Sequence, residues 1–570
     1  MADSFHDLSV LRHSAAHLLA HAVLEVFPDT QLTIGPATDE GFFYDCLPAN
    51  NFKEEDLPIL EAKMHEIAKR DLPLTHTQIS KDEARKLFAK NRFKLQLIDE
   101  IPGETVGLSK QGDFYDLCRG GHVGRTSDIK FFKLFTISGS YWKADKKNQA
   151  LQRIAGTAFY SQADLDAFLK QKEDAALYDH RRLGKQLDLF SFHEEGTGFP
   201  FFHPKGKLIV NLLVDYMRTL QTKLGYQEIS TPLILSDELW KMSGHYAHYK
   251  DNMYFVKIDE KGYALKPMNC PGAYLLYQER PHSYRELPLK LAEFGLVHRH
   301  ELSGVLHGLF RVRAFTQDDA HIFATIEQLE KQIIEIIELT RTVFNRFGFN
   351  DIKVALSTKP NNAMGSEIVW NQATEALKTA LDKARMNYVI QEGEGAFYGP
   401  KIEFKINDSM GREWQCGTIQ VDFFAPENFD LSYVNSLGTK SRPVVIHRAI
   451  YGSLERFFGI LLEHFKGHLP FFICPTQVKV LTITDEQQPY AQEIMAKLLE
   501  NGIRTEIDSS SDPISGKIKT AQIEKIPWMI VVGKKEMAHR TITLRYADGK
   551  QEQNIVIDDL AAKAKQACSR

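Results

Sequence analysis

The stretch of sequence that decides the fold reads Arg299-His300-Glu301-Leu302-Ser303-Gly304, followed by Arg311-Val312-Arg313-Ala314-Phe315-Thr316-Gln317-Asp318-Asp319-Ala320-His321. It places three arginines, three carboxylates, an aromatic ring and histidine within twenty-three residues. Because a guanidinium binds phosphate oxygens in pairs, the stretch suits an anionic ligand that carries a flat base, such as ATP. Phe315 could stack on adenine, and Glu301 could accept a hydrogen bond from its amino group. A strand hairpin edged with salt bridges would give the same charge density.

The order of these residues resembles motif 2 of the class II aminoacyl-tRNA synthetases. The ending from Phe315 to His321 is similar to that of the threonyl-tRNA synthetase family specifically. The resemblance implies that Arg299 holds the α-phosphate of ATP and stabilises charge while the amino acid carboxylate attacks. It also implies that Arg311 is a further ATP contact.

Motif 3 of the same class resembles the segment from His447 to Glu463, in which Arg456 would hold the γ-phosphate. Spacing predicts one apolar helical face here, which a core helix explains by itself; it consists of Ile446, Ile450, Leu454, Phe457 and Leu461. Upstream, a second apolar stripe predicts a helix that Gly225 ends, with members Leu208, Leu212, Tyr216, Leu220 and Leu224. This helix and the strand up to Pro232 match motif 1, which implies a homodimer.

Length and composition indicate an ordinary globular protein of several domains. The 570 residues are 43% hydrophobic and 25% charged, and the net charge is −4. No apolar run could span a bilayer, and the first residues lack a signal pattern. Six cysteines in this length do not indicate a disulfide scaffold, so we expect a cytoplasmic protein without a membrane partner.

We expect an α+β multidomain fold. The predicted segments are an α+β editing domain (1–160), a linker helix (161–182), a catalytic domain with the class II antiparallel sheet and flanking helices (183–470), and an α/β anticodon-binding domain (471–570). Residues 190–202 are predicted to form a loop. Alternating strands and helices over the last hundred residues predict an open, mostly parallel sheet.

A pair of histidines near the start of the chain and a later cysteine–histidine pair predict a second site. His13 and His17 are four residues apart, which places them on one face of a helix. Cys118 and His122 repeat the spacing much later. The four could bind a metal, could perform acid–base chemistry, or could be two unrelated pairs. They resemble the editing domain that threonyl- and alanyl-tRNA synthetases share, which implies that they line an editing site with the further candidates Asp116 and Lys94.

A zinc site is implied by Cys270, His321 and His447. They are far apart in sequence, so their spacing predicts nothing about whether they meet, and a cysteine between two prolines is common in turns. In the threonyl family these positions hold one zinc, and three ligands leave one coordination position for substrate. Valine lacks the threonine hydroxyl and is excluded there. Serine lacks only a methyl group, so some serine is activated and the editing site becomes necessary.

Further site residues follow from the resemblance. A polar strand residue remains the alternative at each position, and Ala396 to Lys401 and Trp414 to Gln420 are predicted to be strands. The threonine candidates are Met268, Gln317, Asp319, Tyr398 and Gln420; Gln415 would contact ATP; Lys401 and His245 are catalytic candidates, with His245 as a proton carrier. Mg²⁺ would accompany ATP.

The last domain resembles the anticodon-binding domain of the same subgroup. Arg545 matches a position that reads an anticodon base, and Ser511 stands where an asparagine is expected. A basic surface for RNA is predicted, with a solvated lysine face as the alternative; its members are Lys517, Lys519, Lys525, Lys534, Lys535, Arg540 and Arg545.

Three departures from the family pattern stand beside the resemblance. Bacterial members usually begin with a ubiquitin-like domain, and this chain starts at the editing domain. Ala273 replaces a histidine that is not a zinc ligand. The anticodon loop, Ser510-Ser511-Asp512-Pro513-Ile514-Ser515-Gly516, differs from the usual Arg-Asn-Glu-Lys-Ile-Gly and leaves the reading of the anticodon open.

The resemblance implies a homodimeric, ATP-dependent, AMP-forming enzyme that joins threonine to the 3′ end of tRNA(Thr) and hydrolyses mischarged seryl-tRNA. A seryl or prolyl enzyme is disfavoured by Cys270, His321 and His447. The alternative from another class is a non-catalytic RNA-binding or regulatory paralogue, which the intact arginines Arg299, Arg311 and Arg456 disfavour.

Overall fold

The structure is a computed structural model that describes residues 7–361, 363–364 and 366–569. The chain divides into two units, Met1–Glu173 and Asp174–Arg570. Among the described residues no helix is both long and apolar enough to cross a membrane.

The first unit is built around helix Leu8–Val26, which begins where the Asp7 carboxylate accepts a hydrogen bond from the Ser9 N–H. Most of this helix is buried, because small and apolar residues flank its three histidines, His13, His17 and His21. An antiparallel sheet packs against it in the order Gln31–Leu32, Phe42–Leu47, Ala150–Phe159, Phe131–Tyr141. A second antiparallel sheet runs Leu74–Ser80, Thr105–Gln111, Phe114–Leu117. The other helices are Asp56–Lys69, Lys81–Leu87, Arg92–Glu100 and Gln162–Leu177.

The second unit contains the predicted antiparallel sheet. Its described strands follow the order Gln227–Glu228, Leu289–His298, Ala314–Ala324, Val444–Ala449, Glu413–Asp422, Lys401–Asn407, Ile352–Ser357, Tyr388–Gln391. The pairings in the middle are antiparallel, and only the first and last of these pairs are parallel. The long helices that cover it are Pro204–Lys223, Leu329–Arg346, Glu367–Lys383 and Leu454–His464.

Smaller elements complete the second unit. The short helices are His180–Gln186, Asp237–Met242, His245–Tyr249, Cys270–Gln278 and Ala425–Asn428. The short strands are Phe190–Ser191, Phe201–Phe202, Ile234–Ser236, Phe255–Ile258, Lys261–Leu265, His282–Ser283, Tyr433–Val434 and Lys440–Ser441. Single 3-10 turns along the chain are Thr126–Asp128, Trp142–Ala144, Glu194–Gly196, Lys250–Asn252, Tyr284–Glu286, Ser303–Val305, Gly308–Phe310, Ile326–Gln328, Phe471–Ile473 and Asp485–Gln487.

The last hundred residues form a five-stranded sheet in the order Thr505–Asp508, Val478–Thr482, Trp528–Val532, Ile542–Tyr546, Gln551–Ile555. Two pairings are parallel and two are antiparallel, so the expectation of a mostly parallel sheet is wrong for the last two strands, which return as a hairpin. The helices are Gln488–Glu500, Ile514–Ile523, Lys534–His539 and Ile557–Ser569.

Three local predictions are wrong. The segment 190–202 contains two paired short strands as well as a loop. The helix predicted over 161–182 ends at Leu177. Ile446 and His447 lie on strand Val444–Ala449, and the motif 3 helix begins only at Leu454. Their spacing suited a helix because a buried strand, a turn and a helix follow each other as one apolar run.

The predicted stripe of helix Pro204–Lys223 is also displaced by one position. The residues that face the core are Ile209, Leu213 and Met217, which are buried. Leu212, Tyr216 and Leu220 are only partly buried.

Candidate active site

One row of side chains crosses the large sheet. His321 pairs with His447, His447 pairs with Gln420, and Gln420 pairs with Lys401, each on the neighbouring strand. Directly paired residues point to the same face of a sheet. The backbone register therefore brings four predicted site residues from four strands onto one face.

The strand Ala314–Ala324 adds a second line of residues at right angles to this row. Successive side chains of a strand alternate between faces, so Phe315, Gln317, Asp319 and His321 point the same way. Burial raises the pKa of Asp319 to about 6, and its carboxylate accepts a hydrogen bond from Asn269 Nδ2 at 3.2 Å. The line places an aromatic ring at one end and an imidazole at the other.

Cys270, His321 and His447 form a compact cluster. One ligand atom of each lies within 4.8 Å of the others, and all three residues are buried. His321 Nε2 is buried and makes no hydrogen bond to the described residues. Burial, followed by the neighbouring charges of His447 and Arg448, holds the pKa of His321 well below its ordinary value. A thiol and two imidazoles, one of them neutral with an unused nitrogen, are the donor set that zinc prefers.

Two side chains contact Nε2 of His447. Its Nε2 lies 3.1 Å from Asp422 Oδ2 and 3.1 Å from the Tyr274 hydroxyl oxygen. Asp422 is held in turn, because its Oδ1 accepts hydrogen bonds from the N–H groups of Phe424 and Ala425. Carboxylates that bond the outer nitrogen of a histidine fix its tautomer and orientation.

The loop predicted to bind ATP, residues 299–313 and called the ATP loop below, connects the strands Leu289–His298 and Ala314–Ala324. The Arg299 guanidinium lies 5.0 Å from the centroid of the Phe315 ring, and its Nε donates to the Pro267 carbonyl. Arg311 Nε donates to Glu301 Oε2 at 3.1 Å, so Glu301, the residue predicted to bond adenine, is paired with Arg311. Arg299 therefore lies beside the ring predicted to stack on adenine, and Arg311 lies beside Glu301.

Arg456 lies one turn into helix Leu454–His464. Its guanidinium carbon is 5.6 Å from the centroid of Trp414, and its buried Nε makes no hydrogen bond to the described residues. Gln415 Nε2 donates to Glu403 Oε1, with which Lys401 forms an ion pair at 2.5 Å. A partly buried guanidinium with one buried, unused N–H suits a phosphate oxygen.

Other predicted pocket residues have varied positions. Tyr398 lies in a tight turn that an isolated bridge between Ala396 and Gly399 closes. The prediction of a strand over Ala396–Lys401 is therefore wrong, and the strand begins only at Lys401. The Tyr398 hydroxyl donates to Gln420 Oε1 at 2.5 Å. Met268 packs against the hydrophobic cluster that contains Cys270. His245 begins helix His245–Tyr249, and its side chain lies outside the described part of the structure.

The first unit brings its predicted residues together in the same way. Cys118 Sγ lies 3.1 Å from His122 Nε2 and 3.5 Å from His13 Nε2, and the rings of His17 and His122 are 4.7 Å apart. The helix presents the first two histidines, and Gly120 and Gly121, both with positive φ, turn the chain between Cys118 and His122. His13, His17 and Cys118 line a cleft of about 1160 Å³.

Asp116 and Lys94 are buried at the edge of this cleft. They form an ion pair, and the Tyr44 hydroxyl donates to Asp116. Lys94 Nζ also lies 3.1 Å from the Tyr44 oxygen. Burial lowers the pKa of His13 and lowers that of His122 to about 4, so these rings are neutral at pH 7.

Three family models match the chain. The class II tRNA synthetase core domain (G, H, P, S and T) matches residues 254–465, the anticodon-binding domain matches 477–567, and the second additional domain of threonyl and alanyl tRNA synthetases matches 106–155. Among curated relatives, the threonine–tRNA ligase of Acetivibrio thermocellus is 52% identical over 537 residues, which are 94% of this chain and 84% of that protein. That of Clostridium tetani is 51% identical over 538 residues, with the same two shares.

The chain belongs to the threonyl-tRNA synthetase family. Membership makes it a class II ligase with an editing domain and an anticodon-binding domain, and implies threonine, ATP and tRNA as partners. The expected α+β fold class is confirmed.

Solved structures of the family agree with the fold. A crystal structure described as the RNA-binding domain of the threonyl-tRNA synthetase of Cryptosporidium parvum is 41% identical, has a TM-score of 0.66, and covers 68% of this chain and 98% of its own. A structure described as a putative threonyl-tRNA synthetase of Aeropyrum pernix is 32% identical, has a TM-score of 0.61, and covers 69% and 96%.

One residue predicted for the basic surface of the anticodon-binding domain is not at the surface. Lys517 is buried, and its ammonium donates to the carbonyl oxygens of Thr482 and Asp508, so its assignment to that surface is wrong. Arg545 lies on strand Ile542–Tyr546 with a buried Nε that makes no hydrogen bond to the described residues. Ser511 is exposed.

Some residues of this synthetase fold were missed by sequence reasoning. Tyr44 lies on an apolar strand, and nothing around it in the sequence marks a polar role. Ser109 Oγ lies 3.0 Å from His122 Nε2, and Ser14 Oγ lies 3.3 Å from His122 Nδ1. Ser14 could have been found, because it adjoins His13 on the helix that the histidine spacing predicts.

Proposed function

We propose that this chain activates threonine with ATP at the Cys270, His321 and His447 face, transfers it to tRNA(Thr), and hydrolyses seryl-tRNA in its first domain. The observation that carries the proposal is the cross-strand row, which joins the cysteine–histidine cluster to the threonine and ATP candidates on one face of one sheet. Family membership gives the reaction class, and this geometry supports the residue roles.

Activation requires the threonine carboxylate to attack the α-phosphorus of ATP while pyrophosphate leaves. Arg299 lies beside Phe315, so a base stacked near that ring would bring the α-phosphate within reach of the guanidinium. Arg299 would then stabilise the charge that develops on the α-phosphate, and Arg456 and Arg311 would hold the leaving phosphates. Mg²⁺ would accompany ATP, with Gln415 and Glu301 beside the nucleotide.

Threonine would lie against the strand that carries Gln317 and Asp319. Asp319 would accept from the amino group, and Tyr398 and Gln420, already bonded to each other, would close the side of the pocket with Met268. A zinc held by Cys270, His321 and His447 would offer a coordination position to the amino group and the side-chain hydroxyl, which valine lacks. Lys401 and His245 are proposed to act during transfer to the 3′ end of tRNA, with His245 as the proton carrier.

Editing is proposed for the cleft of the first domain. The ester of seryl-tRNA would enter beside His13, His17, Cys118 and His122. Neutral imidazoles can accept a proton from water as it attacks the ester carbonyl. The pair Lys94 and Asp116 would hold the buried side of the cleft in place. Serine requires this second site because the loss of one methyl group in a pocket is worth only about 1–3 kcal/mol.

The proposed domain limits are 1–160 for editing, 161–182 for the linker, 183–470 for catalysis and 471–570 for anticodon binding, with Arg545 and Ser511 as anticodon contacts. We also propose a cytoplasmic homodimer. The resemblance of helix Pro204–Lys223 and the strand up to Pro232 to motif 1 supports the dimer.

The test is amino-acid-dependent ATP–pyrophosphate exchange with threonine, serine and valine, with zinc counted on the same sample. We expect strong exchange with threonine, weaker exchange with serine, almost none with valine, and one zinc per chain. A folded, zinc-loaded protein that exchanges with none of the three would favour the non-catalytic RNA-binding paralogue. More than one zinc per chain would indicate a metal in the editing cleft as well.

A further inference from the structure

His180 is a fully buried histidine at the start of the catalytic domain, outside the site described above. It is the first residue of helix His180–Gln186, directly after the N-cap Asp179. Its Nδ1 lies 2.6 Å from Glu463 Oε1, and its backbone N–H donates to the same oxygen at 2.8 Å. Its Nε2 accepts a hydrogen bond from the Leu309 N–H at 2.9 Å.

These contacts fix the tautomer of the ring. Because the Leu309 N–H donates to Nε2, that nitrogen carries the lone pair, and the proton lies on Nδ1 and is donated to Glu463. Glu463 is itself buried, and its second carboxylate oxygen accepts from Arg412. Asp179, His180 and Glu463 are close enough to hold a metal ion, but both ring nitrogens already have protein partners. The cluster is therefore a structural connection and not a cation site.

The two partners of His180 belong to the two segments that carry the proposed ATP arginines. Leu309 is part of the ATP loop, two residues before Arg311. Glu463 is on helix Leu454–His464, which carries Arg456. One imidazole thus bonds the backbone of the ATP loop and the motif 3 helix at the same time.

Contacts between tilted rings extend the same connection toward Arg456. The rings of His180 and Phe310 are 4.1 Å apart, and those of Phe310 and Trp414 are 4.3 Å apart. Trp414 is the ring beside which the Arg456 guanidinium lies. Close packing at Gly308 excludes any larger residue, because a Cβ there would stand 2.1 Å from His180 Nε2. The position of the loop is therefore defined by contact with this histidine.

We propose that His180 is a positioning residue for ATP binding. It sets the distance between the ATP loop and the motif 3 helix. It does not touch the reacting atoms. The inference rests on the proposed function, because it needs Arg311 and Arg456 to bind the nucleotide. Loss of the bond to Leu309 leaves a buried N–H without an acceptor, and the loop must move to reach water. ATP binding weakens as a result, whereas the threonine face of the sheet is unchanged.

Two substitutions separate the two bonds. In His180→Asn the amide nitrogen occupies the place of Nδ1, which keeps the bond to Glu463 and loses the bond to Leu309. In His180→Gln the longer side chain places an amide oxygen near the position of Nε2, which keeps an acceptor for Leu309. A matched control is His464→Gln, which changes a histidine next to Glu463 on helix Leu454–His464, where its ring packs on Phe349.

The measurement is threonine-dependent ATP–pyrophosphate exchange with ATP and threonine varied separately, together with thermal unfolding. We expect His180→Asn to raise the KM for ATP roughly tenfold, as one lost buried hydrogen bond would, with the KM for threonine unchanged. His180→Gln should recover most of the ATP affinity, and His464→Gln should change neither KM. Gly308→Ala should raise the KM for ATP as His180→Asn does, because it displaces the loop from the other side.

An ATP KM equal to that of the wild type in both His180→Asn and Gly308→Ala, with only lower thermal stability, would overturn the inference and leave a purely structural histidine. Equal increases in the two substrates' KM values would also overturn it. Absence of exchange in the wild-type enzyme would instead overturn the proposed function, so the two failures are distinguishable.

Discussion

His321 and His447 face each other on neighbouring antiparallel strands, with ring centroids 4.8 Å apart and planes at 79°. This pairing places two imidazoles of the candidate zinc site on rigid backbone, so that only Cys270 comes from outside the sheet, at the start of a helix. A site built on paired strands holds its geometry without a bound ion, because the hydrogen-bond register fixes the spacing.

Replacement of the thiol should remove the metal before it affects the fold. Cys270→Ala leaves two imidazoles, and we expect zinc content to fall from one per chain to near zero and threonine-dependent exchange to fall on the order of 100-fold. Metal analysis and exchange on the same sample measure both. The matched control is Cys416→Ala, a second buried cysteine, which lies on the large sheet and outside the cluster. Full zinc content in Cys270→Ala would exclude this cysteine as a ligand.

Loss of one editing histidine should separate charging from proofreading. In His13→Ala we expect hydrolysis of seryl-tRNA to fall about 100-fold, because a proton acceptor near Cys118 is removed, with threonine charging unchanged. Deacylation of preformed seryl-tRNA is the assay. His21→Gln on the same helix is the control, since His21 bonds Glu25 and Gln111 instead of the cluster. Equal deacylation by wild type and His13→Ala would remove His13 from the editing site.

Stability of the catalytic domain should depend on pH through Glu455. Burial raises the pKa of this carboxyl to about 7, and the side chain accepts from the Thr316 N–H at 2.9 Å. Because the pKa in the folded state lies above the ordinary value, the protonated Glu455 carboxyl stabilises the folded state fully at low pH. This contribution is lost as the pH rises toward 7, by about 1.4 kcal/mol for each unit between the folded and the ordinary pKa.

Glu455→Gln keeps the acceptor and cannot ionise. We therefore expect the wild type to lose thermal stability relative to this variant between about pH 5 and pH 7, and the difference to stay constant above that range. Calorimetry of the thermal unfolding of the catalytic domain at several pH values measures this difference in stability. A difference that does not change with pH would show that Glu455 does not titrate in this window.

Removal of Arg545 should weaken tRNA recognition alone. Its guanidinium has an unused buried N–H on the sheet of the last domain, and we expect Arg545→Ala to lower kcat/KM for tRNA by roughly 10- to 100-fold while ATP–pyrophosphate exchange stays normal. The control is Arg540→Ala, which removes an exposed arginine that pairs with Glu493. If both variants charge tRNA equally well, Arg545 has no special role in reading the anticodon.

The sequence by itself determined the local features and the family. The spacing of His13 and His17 predicted one helix face, and helix Leu8–Val26 confirms it, because a period of 3.6 residues is a property of the segment alone. The order of residues around Arg299 indicated the class II family, and the matching core-domain model and the curated relatives confirm it. Local errors arose where short elements follow each other, as at His447, because apolar spacing does not separate a buried strand from a helix.

Only the tertiary structure decided which distant residues meet. His321 and His447 come together through strand register, and Cys270 reaches them from a helix outside the sheet. No local pattern encodes the pairing of remote strands. Tyr44 reaches Asp116, and His180 reaches Leu309, for the same reason: each contact depends on how separate elements pack. Lys517 looked like a surface lysine because charge predicts exposure, yet two carbonyl oxygens hold it in the interior. Periodicity is a short-range property of the chain, whereas register and burial are set by the packing of the whole domain.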